Sequence, residues 1–341
     1  MDWTIDAFLK HMYEETNERR KRNRERFGSK EEHREWLRDR LKLALGEFPE
    51  SSHPLDVEVL ERLEYEDFIL ERVAYTTMVL VHVPVLVLIP KASKGPWPVV
   101  LACHGHGNGQ RDAAGLDAEG GELVDPGIHN RFAVQLVKQG MVVVIPEIMG
   151  FGVRRMTEEL KTNPIYSSCG TLSSQLLVYG RTLAGMRVYE AMRALDYIET
   201  RPDVIPGAVG VFGFSGGGLI AALATALDER IKAAVLCGWT NTFQGSILAM
   251  HHCIDNYLPG LLLDSEQSEL TGMIAPRALF VESGEEDPIF PVEHVREAIS
   301  ILKDTYTAWG AFDQFVYDIH PGSHEVSGKK SVKWLHHRLA R

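Results

Sequence analysis

A chain of 341 residues, 45% hydrophobic and 24% charged, is long enough for one large domain and too rich in apolar side chains to be disordered. Its formal net charge of -11 repels phosphate backbones and argues against nucleic acid as the main partner. No run approaches the roughly 18 apolar residues of a membrane span. The acidic start Met1-Asp2-Trp3-Thr4-Ile5-Asp6 lacks the basic-then-apolar order of a secretory signal, so a cytoplasmic protein that does not enter membranes is expected.

Residues 1–55 read as a helical extension. Trp3, Ile5, Phe8, Leu9 and Met12 recur at helical spacing, and a charged run from Arg19 to Arg26 follows. That run reads as a solvated helix face with acidic neighbours rather than an anion site. Ser29 and Glu32 form a capping-box pattern. The helix it opens carries the stripe Trp36, Leu37, Leu41, Ala44 and Leu45, and Gly46 and Pro49 stop it. The extension offers either a brace on the main domain or a contact between copies of the chain.

Residues 56–341 read as a single α/β domain. Met78 to Ile89, rich in valine and leucine, belongs to opening antiparallel strands. Nearly continuous apolar runs follow at Val99–Cys103, Met141–Ile145, Ala208–Phe212, Ala233–Leu236, Ala278–Val281 and Phe315–Tyr317, alternating with helical stretches such as Ala184–Glu199. Strands apolar on both faces suit a mostly parallel central sheet flanked by helices. The four cysteines, Cys103, Cys169, Cys237 and Cys253, are far apart without metal-ligand spacing and read as reduced, mostly buried small hydrophobes.

The strongest chemical signal is Gly213-Phe214-Ser215-Gly216-Gly217, set between an apolar strand and the helical stretch Leu219–Leu227. A strand, a G-x-S-x-G turn and a helix together expose the serine hydroxyl above a sheet edge. A phosphate loop would want a Lys-Ser or Lys-Thr pair, which is missing here. A serine hydroxyl needs a base and an orienting carboxylate to become nucleophilic, and this elbow calls for acid and then histidine downstream. Asp287 fits the acid, at the end of a strand and before Pro288, with Glu286 next in line. His324 fits the base, in a loop ahead of the last helix, while His320 sits at a strand end as a structural residue.

The tetrahedral oxyanion needs two backbone donors. Gly216, following the serine, supplies one. The turn His104-Gly105-His106-Gly107 after the Val99–Cys103 strand supplies the other through the amide of His106. As a metal site the same turn lacks a matching carboxylate cluster, so neither metal nor cofactor is expected. Long connections at Phe151–Ser174 and Trp239–Thr271 bracket the elbow. Trp239, Phe243, Met250, Tyr257 and Leu261 would form an apolar pocket, whereas Arg154 and Arg155 read as surface residues more than as readers of an acidic substrate.

HGHG at 104–107, GFSGG at 213–217, Ala275-Pro276-Arg277-Ala278-Leu279, the stretch from Glu282 through Asp287 to Pro291 and Gly322-Ser323-His324-Glu325 together resemble bacterial α/β-hydrolases of the acetyl-xylan-esterase-like group, near the dienelactone hydrolases. The segment 250–260 is similar to that group as well, and the likeness runs from about residue 56 onward. It implies the α/β-hydrolase fold and a serine esterase or deacetylase acting on small acyl esters, including acetylated sugars. Dienelactone hydrolases proper carry a cysteine where this chain has Ser215, which sets lactone cleavage aside. Amide or peptide cleavage and a non-catalytic ligand receptor are the rival readings on the same fold.

Overall fold

The computed structural model describes residues 3–48, 53–162 and 167–340. Nine strands make one sheet: β1 Glu58–Glu64, β2 Phe68–Met78, β3 Val81–Pro90, β4 Trp97–Cys103, β5 Val142–Pro146, β6 Val204–Phe214, β7 Ile231–Cys237, β8 Ala278–Gly284 and β9 Phe315–His320. Their order is β1-β2-β3-β5-β4-β6-β7-β8-β9. The first three are antiparallel neighbours and β3 meets β5 antiparallel; from β5 onward every pairing is parallel.

The continuous apolar runs follow from burial of both sheet faces. On β4, Val99, Leu101 and Cys103 join one core while Val100 and Ala102 join the other. The same alternation puts Ala234 and Leu236 of β7 on one face and Ala233, Val235 and Cys237 on the opposite face. Helices Leu183–Thr200, Gly216–Leu227 and Val292–Ala308 cover the first face, and Phe132–Lys138 and Ser331–Leu339 cover the second. A strand with helices on both sides has no solvent face to mark with polar residues, so its period of two disappears from the sequence.

The N-terminal helices meet the expectations unevenly. Lys30–Leu45 buries Leu37, Leu41 and Leu45 against the first core, with Trp36 and Ala44 packed beside them. Ser29 Oγ caps it by accepting from the Glu32 amide at 3.1 Å, but the Glu32 carboxylate turns to the Gly28 amide, so only half of the expected box forms. Asp6–Arg24 buries none of its residues, and Trp3, Ile5, Phe8, Leu9 and Met12 all stand exposed. Its basic run serves as attachment instead. Arg20 donates to the Leu262 carbonyl at 2.9 Å, Tyr13 donates to Glu266 at 3.0 Å, and Arg24 faces Glu269. Both helices therefore grip the 262–269 segment, since Arg40 also pairs with Asp264. Among the described residues no helix is long and apolar enough to cross a membrane.

Candidate active site

Three strand ends deliver the predicted side chains to one place. Ser215 follows β6, Asp287 lies beyond β8, and His324 lies beyond β9, all at the C-terminal edge of the parallel strands, where open α/β sheets bind ligands. Ser215 adopts φ 54° and ψ -121°, a backbone region costly for a residue with a Cβ. The turn is held by its surroundings: the Ser215 amide donates to the Cys237 carbonyl at 2.9 Å. The flanking glycines are required by crowding, because a Cβ on Gly217 would collide with the Cys103 carbonyl and one on Gly213 with the Gly217 carbonyl.

The hydroxyl of Ser215 lies 2.9 Å from His324 Nε2, and His324 Nδ1 lies 2.8 Å from Asp287 Oδ2. Asp287 is buried, and its other oxygen accepts from the amides of Ile289 at 2.8 Å and Phe290 at 3.0 Å. The carboxylate is thus fixed at both oxygens. Glu285 and Glu286 point to solvent, and His320 is buried at the end of β9. The rings of Phe214 and Phe290 flank the imidazole, with centroids 5.0 and 5.7 Å away.

The 104–107 turn packs directly on the elbow, with the ring of His106 against Gly216. Its shape depends on two buried histidines. His104 Nε2 accepts from the Ile148 amide at 3.1 Å, which places its proton on Nδ1 toward the Gly105 carbonyl. His104 is therefore satisfied in the core and has no free nitrogen for a metal. His129, which carried no recognisable motif, accepts the Gly105 amide at 3.1 Å. Burial lowers its pKa to about 4, keeping the ring neutral and able to accept.

A cavity of about 1170 Å³ opens beside the Ser215 hydroxyl. Trp239, Phe243 and Tyr257 line it as expected, with Ile247, Leu258 and Phe290. Met250 is half-buried and outside the lining, and Leu261 is core, its place on the wall taken by Leu262. Arg154 corrects the surface reading. Its side chain is largely covered, holding Glu190 through two bonds of 2.7 and 2.6 Å and the Glu147 carbonyl at 2.8 Å. Arg155 is buried, donating to the Glu159 carbonyl.

Three other groups escaped the sequence. Glu282, buried at the end of β8, accepts from the amides of Ser327 at 2.9 Å and Gly328 at 3.1 Å and from the Ser331 hydroxyl at 2.6 Å. Arg187, inside the Leu183–Thr200 helix, pairs with buried Asp255 and donates to Cys169 Sγ at 3.2 Å. A hydrogen bond from the Cys253 thiol, aided by the Arg187 charge, lowers the Cys169 pKa, while that same hydrogen bond and burial raise the pKa of Cys253. Cys103, Cys169 and Cys237 are buried as foreseen and Cys253 is half-buried; Cys169 and Cys253 also line the cavity.

The profile of the Abhydrolase family matches residues 6–252, which includes the N-terminal helices. YtaP of Bacillus subtilis (strain 168), provisionally named a hydrolase, is 32% identical over 283 residues, covering 81% of this chain and 89% of its own length. A crystal structure provisionally named acetyl xylan esterase, from Bacteroides fragilis NCTC 9343, superimposes with a TM-score of 0.70 at 20% identity, over 84% of this chain and 74% of that one. A glucuronoyl esterase from Solibacter usitatus does so with a TM-score of 0.66 at 17% identity, over 90% and 91%. With nine strands in this order and a profile match over most of its length, the chain belongs to the Abhydrolase family and has the α/β-hydrolase fold.

Proposed function

We propose that this chain is a serine carboxylic-ester hydrolase. The observation that carries the reading is the hydrogen-bonded line from Ser215 through His324 to buried Asp287, opening into the cavity. Ser215 Oγ attacks the acyl carbonyl as His324 Nε2 takes its proton, and Asp287 holds the imidazolium. The amides of Gly216 and His106 receive the oxyanion, each donor contributing on the order of 10²–10³ in rate. His324 then returns the proton to the leaving alcohol. Water repeats the sequence on the acyl-enzyme, with His324 as base again, and frees the acid.

The cavity supports an uncharged substrate. Its lining among the described residues includes aromatic and aliphatic side chains and histidines but no lysine, arginine, aspartate or glutamate. Acetyl or another small acyl group fills only a fraction of about 1170 Å³, leaving the apolar wall for the alcohol portion. An acetylated sugar fits this reading through its acyl group.

Labelling with a serine-directed fluorophosphonate tests the nucleophile: covalent attachment at Ser215 supports the proposal, and an unmodified chain ends it. Rates on p-nitrophenyl acetate, longer acyl esters and aminoacyl anilides then rank the leaving groups. Faster anilide than ester cleavage would replace the esterase reading with an amidase.

A further inference from the structure

His106, Cys169 and Cys253 come from three distant parts of the chain: the turn after β4, the first residue of the Cys169–Val178 helix, and the loop before the Ile254–Asn256 turn. The fold nevertheless brings their nitrogen and two sulfur atoms within 4.8 Å of one another, and all three residues line the cavity. His106 Nε2 is buried there, and among the described residues no oxygen or nitrogen partner satisfies it; the Cys169 thiol is its neighbour. An imidazole nitrogen left unsatisfied beside two thiols is costly unless something binds it.

We propose that His106, Cys169 and Cys253 form a site for a thiophilic divalent cation of the Zn²⁺ class. Two sulfurs and an imidazole nitrogen are the ligands such an ion selects over magnesium or calcium. Bonds of about 2.0–2.3 Å in a tetrahedron put ligand atoms about 3.4–3.8 Å apart, so a cluster inside 4.8 Å needs only side-chain adjustment to close on an ion. The charges agree. On binding, the ion displaces the thiol protons, and two thiolates, Asp255 and the Arg187 cation then sum with a divalent ion to zero. Arg187 also orients the site from behind, donating to Cys169 and to the Met149 carbonyl.

Three protein ligands leave a fourth position for water or a substrate group. No step of the ester chemistry above passes through this site, so its occupancy is a separate property of the chain. A bound ion would tie the 104–107 turn to the two segments that wall the cavity.

The test uses the full chain, reduced with a phosphine, stripped with a chelator and titrated with Co²⁺. One equivalent per chain should give the near-ultraviolet sulfur-to-cobalt bands and visible bands of a tetrahedral thiolate site, and Zn²⁺ should displace them. Cys169→Ser and Cys253→Ser should abolish those bands. His106→Ala should weaken Co²⁺ binding by at least about 100-fold, the upper range for loss of a mere outer-sphere partner. Cys103→Ala, at a buried cysteine outside the cluster, should keep them. Absence of thiolate bands from the unaltered reduced chain overturns the proposal without recourse to any variant. So does their survival in either serine variant.

Discussion

Glu282 reaches across from the end of β8 to the amide of Ser327, 2.9 Å away, and so anchors the loop that carries His324. With the Gly328 amide, the Ser331 hydroxyl and the Cys237 thiol on the same carboxylate, one buried side chain satisfies four donors. Glu282→Ala strands them, and each buried orphan costs about 1–3 kcal/mol, so a loss of roughly 3–5 kcal/mol is expected in denaturant unfolding. Glu282→Gln keeps an acceptor for the amides and should cost less than half as much. Turnover should fall with the alanine variant and largely recover with glutamine, because Glu282 positions His324 without touching substrate.

Ser215→Ala should lower kcat by about 10⁴–10⁶ on any ester the chain cleaves, while circular dichroism and unfolding midpoint stay unchanged. Equal turnover by both proteins would remove Ser215 from the mechanism.

Asp287→Asn tests the acid apart from packing. An asparagine can still accept the Ile289 and Phe290 amides, but its NH₂ offers His324 Nδ1 a donor where an acceptor is needed. The wrong tautomer then faces Ser215, and kcat should drop by about 10⁴. Glu286→Gln, at an exposed carboxylate, should leave kcat within twofold (roughly the span of a surface change).

His129 predicts acid sensitivity. Burial lowers its pKa from 6.5 to about 4, so between those values the unfolded chain binds the proton that the folded chain refuses. The contribution of this ring is complete above pH 6.5, declines as pH falls, and is gone at about pH 4, a change of roughly 3 kcal/mol. Unfolding free energies measured from pH 7 to 4 should flatten over that window in His129→Gln.

Arg187→Met should cost about 3–5 kcal/mol by stranding buried Asp255. Combining it with Asp255→Asn should recover part of that loss, and a double-mutant cycle should give a coupling above about 1 kcal/mol. Strict additivity would show that the pair does not act as a unit.

The sheet from β4 onward was legible because burial on both faces writes itself as unbroken valine, leucine and alanine. The edge strand β1 was marked less clearly, since six of its seven residues are exposed and its apolar Val59, Leu60 and Leu63 keep no period of two. The serine, acid and histidine could be read because each stands at a strand end in a local motif. Arg154, Arg187 and Glu282 could not, because a charged residue in sequence gives no sign that its partner lies buried across the fold. The same blindness hid the company of Cys169 and Cys253, whose proximity belongs to the tertiary fold alone. The apolar spacing of Trp3 to Met12 marked a helix correctly but not a buried one.

The residue that serves Ser215 as base, His324, hangs from β9, one of the two edge strands, which has a ladder on one side only. Peripheral strands detach at lower free energy than central ones. Reactivity is therefore conditional on a margin of the sheet, and it should weaken under mild stress while the interior remains intact. A nascent chain, too, stays chemically silent until β9 and the loop carrying His324 have been synthesised and docked.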